Sequence, residues 1–68
     1  SREATIGQVG MVIQTGLEHG QVIVRFSMPV LGSDEWNCRC DAPVQVGDRV
    51  RVIDIQGNDL VVQPHSSS

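Results

Sequence analysis

GDRVRVIDIQGNDLVVQP, residues 47–64, decides the fold. Val50 and Val52 alternate with Arg49 and Arg51, and the parity then shifts to Ile53 and Ile55. Period-two alternation of β-branched residues marks a half-buried strand. The change of parity predicts a bulge or strong coiling inside it, because one extra residue moves every later side chain to the other face. QGND (56–59) follows, with Gly57 and Asn58 both able to take φ > 0, which is what a tight hairpin turn demands. DLVVQP (59–64) is the returning strand, stopped by Pro64, which cannot donate to a ladder.

The same grammar runs outward from this hairpin. QVGMVIQTG (8–16) reads as a first strand in which Val9, Met11 and Ile13 alternate with Gly10, Val12 and Gln14. Gly10 inside it suggests a bulge or a close backbone crossing. LEHG (17–20) is a turn, and QVIVRFS (21–27) a second strand with Val22, Val24 and Phe26 on one face. MPVLGS (28–33) reads as a loop. EWNCRCD (35–41) alternates strictly, with Trp36, Cys38 and Cys40 on one side. APVQVGD (42–48) connects to the fourth strand.

Five short strands in a chain of 68 residues describe one domain with one core. The expected class is all-β: a small five-stranded closed barrel, because closure removes the exposed edges that a small open sheet cannot protect. OB-type and SH3-type barrels both fit these strands. Residues 1–5 are expected to form a disordered lead-in and residues 65–68 a disordered tail, with the domain spanning 6–64. No apolar run approaches the ~18 residues of a membrane-spanning helix, and no signal peptide is visible. The chain opens on Ser1, and we read it as a domain excised from a longer protein.

Charge narrows the function. The net charge is −3, with five arginines and no lysine. An acidic domain is a poor match to a phosphate backbone or an anionic membrane surface, where cations supply the affinity.

Three families of residues carry resemblance to a known family. IGQVGMVIQTGL (6–17) has a Gly-x-x-Gly strand opening, VRFSMPVLGSDEW (24–36) forms the middle, and residues 47–64 end on Gly-Asp-x-Val-x-Val, a Gly-Asn turn and Leu-Val-Val-x-Pro. In that order they resemble the C-terminal soluble domain of NfeD-like membrane proteins, and the middle is similar to the shorter members related to the YqiJ and YuaF proteins. The resemblance implies an OB-type barrel of a bacterial inner-membrane protein. It also implies a non-enzymatic role, on the cytoplasmic side, docking a membrane-associated SPFH partner of the flotillin or stomatin kind. The longer members carry a serine protease domain, to which nothing here corresponds.

The residues themselves offer four candidate sites. Cys38 and Cys40, one residue apart, have the wrong spacing for a structural zinc site, and the other soft ligands, His19 and His65, fall in a turn and the tail. A Cys38–Cys40 disulfide on a strand is strained, so both are expected as packed thiols beside Trp36. Asp34, Glu35, Asp41, Asp48, Asp54 and Asp59 fall at strand ends and outward positions and are expected to be solvated, with Asp48 bonding its own turn. Arg25, Arg39, Arg49 and Arg51 form an outward stripe that, with Phe26 and Trp36, supports the alternative of a single-stranded nucleic-acid-binding barrel. Without lysine that alternative is weak, and Phe26 is expected in the core. The apolar loop is the strongest functional feature: Met28, Val30 and Leu31 either fold back as a plug or form an exposed partner-binding patch. No catalytic motif, cofactor loop, metal site or small-molecule site is expected.

Overall fold

The computed structural model describes residues 2–65. It is a closed five-stranded barrel: β1 (Val9–Gln14), β2 (Gln21–Val30), β3 (Ser33–Cys40), β4 (Arg49–Gln56) and β5 (Asp59–Pro64). The strands follow one another around the barrel in the order β1-β2-β3-β5-β4, and β4 returns to β1. All pairs are antiparallel except β3 with β5. This is the OB-type order, and it settles the choice against the SH3-type alternative.

The inward faces meet in one core. Val12, Val24, Phe26, Val50, Val52 and Leu60 are essentially inaccessible, and Cys38, Cys40 and Val62 join them. One position has no room for a side chain. A Cβ at Gly10 would lie 2.6 Å from Val24 Cγ1 and 2.9 Å from both the Arg25 carbonyl oxygen and Phe26 Cδ1. The close crossing read from the sequence is therefore real, and it lets β1 press against β2 over the Phe26 ring. The parity switch in β4 is also real: the register with β5 shifts between Val52 and Asp54, which leaves Ile53 outside and Ile55 packed on the core. At the β4–β5 turn only Gly57 takes the positive φ, at 62°.

Two segments differ from the expectation. Residues 2–5, expected within a disordered lead-in, form one helical turn, α1 (Arg2–Thr5). Thr5 is buried and Ile6 packs on the core, while the Gly7 and Gln8 backbone bonds Val52 on both sides. Tertiary packing, not helix propensity, orders so short a turn. At the other end the His65 N–H donates to the Arg49 carbonyl at 2.8 Å, so this residue of the expected tail continues the β4–β5 pairing. Ser1 and residues 66–68 of the expected lead-in and tail lie outside the described residues.

The second difference is the apolar loop. Residues 28–30 belong to β2, and β3 begins at Ser33, so the connection is a two-residue hairpin turn at Leu31 and Gly32. Pro29 is accommodated because the β2–β3 register shifts between Arg25 and Val30. There the chain bulges and needs no donor from Pro29.

Candidate partner-binding surface

The β2–β3 tip holds the three apolar residues singled out by sequence, and it separates them. Met28 is 65 % exposed and Leu31 63 % exposed, whereas Val30 is 3 % exposed and belongs to the core. Val30 thus folds back as the plug, while Met28 and Leu31 stand exposed. Val30 keeps the inward parity of Val22, Val24 and Phe26, and the irregular register between Arg25 and Val30 is where Met28 leaves it and turns outward.

The tip is held under strain. Leu31 has φ 51° and Gly32 φ 87°, the pair of positive values that a type I′ turn requires. Glycine adopts this region freely; a leucine there costs about 1–2 kcal/mol. Trp36 offsets this cost. Its indole N–H donates to the carbonyl oxygens of Val30 at 2.9 Å and Ser33 at 3.1 Å, one on each side of the turn. A half-buried tryptophan thereby clamps the hairpin that displays Leu31.

The remaining candidates fall into place around this tip. Cys38 and Cys40 are free and buried. Burial pushes the Cys38 thiol up to about 12, with smaller contributions from the Asp59 carboxylate and Cys40. Burial thus disfavours the thiolate, the form that acts as nucleophile or metal ligand. Among the described residues no three His, Cys, Asp or Glu side chains converge as a metal site.

The acids are spread over the surface in local roles. Asp48 accepts from the Gln45 N–H at 2.8 Å within its own turn. Asp54 accepts from the Ile55 N–H, which, ahead of Gln56 and Arg2, holds its carboxyl below the ordinary carboxylate range. Glu35 accepts from Arg25 at 2.7 Å and raises the Arg25 guanidinium further. The four stripe arginines are all exposed, but Phe26 is in the core and the Trp36 N–H is engaged at the turn.

What the sequence reading missed is the outside of β1. Gly10 and Val12 turn inward, so Met11 is 42 % exposed and Val9 half-buried outside the core cluster. The signal in the sequence is Gly10 itself: a glycine inside an apolar strand marks a close backbone approach, and the parity that it shares with Val12 is then the inner one.

Residues 2–64 match the family model of the NfeD-like C-terminal, partner-binding domain. The chain belongs to this family. Among solved structures, the NfeD-like barrel is similar to the C-terminal domain of stomatin operon partner protein 1510-C from Pyrococcus horikoshii. The TM-score is 0.75 and the identity 23 %, over 98 % of this chain and 97 % of that one. At that identity the likeness shows the fold. No curated protein matches the NfeD-like chain in sequence.

Proposed function

We propose that this NfeD-like barrel is a non-enzymatic docking module that binds an SPFH partner of the flotillin or stomatin kind through the β2–β3 tip. Its family is one of partner-binding domains, and the structure it resembles is that of a stomatin operon partner protein. The observation that carries the reading is the tip itself: Leu31 is displayed in a backbone conformation that leucine disfavours, next to exposed Met28. Strain of this kind persists where function requires it.

The parent protein is read as anchored in the inner membrane, with this domain on the cytoplasmic side. Two buried free thiols support a reducing compartment. The test is capture of the SPFH proteins of the same cell by the full-length protein. Met28→Asp with Leu31→Asp is expected to abolish capture while the barrel stays folded. Unchanged capture by that folded variant removes the tip from the interface.

A further inference from the structure

We propose that the outer face of β1 is a second docking surface, built for a segment of a partner protein that carries apolar side chains bordered by carboxylates. The register assembles it. Met11 lies opposite Arg25 on β2 and Arg49 on β4, and Val9 lies opposite Arg51. An apolar strip is thus fenced by three of the chain's five arginines. Val9, Met11, Arg25 and Arg49 line an open groove of about 240 Å³ with Gly10, Phe26 and Ser27, and Arg51 stands beside it.

Two features set this face apart from an ordinary barrel exterior. An antiparallel strand with one solvated face normally shows polar residues outward, and β1 is apolar on both faces. The cations are also short of partners. Arg25 has Glu35 and Arg2 has Asp54, but Arg49 and Arg51 meet no carboxylate among the described residues. In a chain of net charge −3, three arginines gather here, and the acid paired with any of them is Glu35, on Arg25.

Charge complementarity selects the occupant. Like charges on neighbouring positions of a sheet repel, and a carboxylate over Arg49 and Arg51 turns that repulsion into charge-assisted, bidentate pairing. Met11 supplies a flexible apolar floor that adapts to differing side chains. A nucleic acid is a poorer match, since no exposed aromatic lies on this strand for base stacking and only two arginines of this face are uncommitted.

The inference rests on the domain being a docking module, and it is tested separately from the tip. A displayed random-peptide library is panned against the 68-residue chain. Recovered peptides are expected to place Asp or Glu beside Leu, Ile, Val or Met. Their affinity should fall tenfold or more with Arg49→Gln and Arg51→Gln or with Met11→Gln, and should weaken as salt rises. Thermal unfolding of each variant confirms the fold. Met28→Asp and Leu31→Asp, which test the tip alone, should leave peptide binding unchanged.

Recovery of no binders, of basic or uncharged ones, or of binders indifferent to both arginines overturns the proposal. Tighter binding of oligo(dT) through the same arginines overturns it in favour of nucleic acid. A dimer in sedimentation that Met11→Gln dissolves overturns it in favour of a second copy of this chain.

Discussion

The indole nitrogen of Trp36 donates to the backbone carbonyl of Val30 at 2.9 Å. That bond, with its companion to Ser33, ties the two strands together immediately behind a leucine in a left-handed conformation. Trp36→Phe keeps the ring and removes the donor. The expected loss is about 1–2 kcal/mol of stability for two carbonyls left to solvent. SPFH capture should weaken more than it does in a surface variant of equal stability. Urea unfolding alongside the capture assay measures both.

Leu31 offers the opposite trade. Leu31→Asn gives the Asn-Gly pair that type I′ turns prefer and should raise stability by roughly 1 kcal/mol, or about 4–8 °C in a domain of this size. Partner capture should fall at the same time. The neighbouring Val30 behaves differently: Val30→Asp buries an unpaired charge and is expected to unfold the barrel, whereas Leu31→Asp remains folded. Circular dichroism on the three variants distinguishes them.

Gly10 is constrained by space alone. Gly10→Ala drives a methyl into Val24 Cγ1 and the Phe26 ring and should cost about 1–3 kcal/mol, the usual range for overpacking. A destabilisation below about 0.5 kcal/mol in urea titration would show that β1 can move away from β2 freely, contrary to the packing described.

The thiols give a pH dependence. The Cys38 thiol titrates near 12 in the fold against 9.0 ordinarily, so the folded chain keeps a proton that the unfolded chain releases. The stability linked to it is fully present below pH 9 and is lost as pH rises toward 12. Wild type should therefore lose more stability than Cys38→Val between pH 9 and pH 11, measured by urea unfolding. At neutral pH both thiols should react with a chromogenic disulfide only as fast as the barrel opens.

Much of this fold was legible in the sequence because its strands obey simple parity. Val50, Val52, Leu60 and Val62 alternate on either side of Gly57, and even the β4 bulge declares itself as a switch from Val52 to Ile53 and Ile55. The β2–β3 hairpin is hidden by Pro29, which reads as the start of a loop, so Val30 groups with Met28 and Leu31 although it keeps the inward parity of Val22, Val24 and Phe26. The α1 turn is too short to show a period, and only Thr5 and Ile6 meeting the barrel end make it fold. The outer stripe of β1 escaped notice because Val9 and Met11 look like core residues until Gly10 is seen to be the inward one.

The barrel closes through a ladder of only three residue pairs between β1 and β4, extended by mutual bonds of Val12 with Gly47 and Asp48. These segments are far apart along the chain, and a long loop must close before the ladder forms. In kinetic terms it is the last rung to set and the first to fray. Amide hydrogens there should exchange through local openings sooner than those between β2 and β3. Met11 and Arg49 stand on opposite sides of this seam, so a ligand lying across them acts as a staple. Its arrival should be audible as a slowing of hydrogen exchange along residues 9–11 and 49–51.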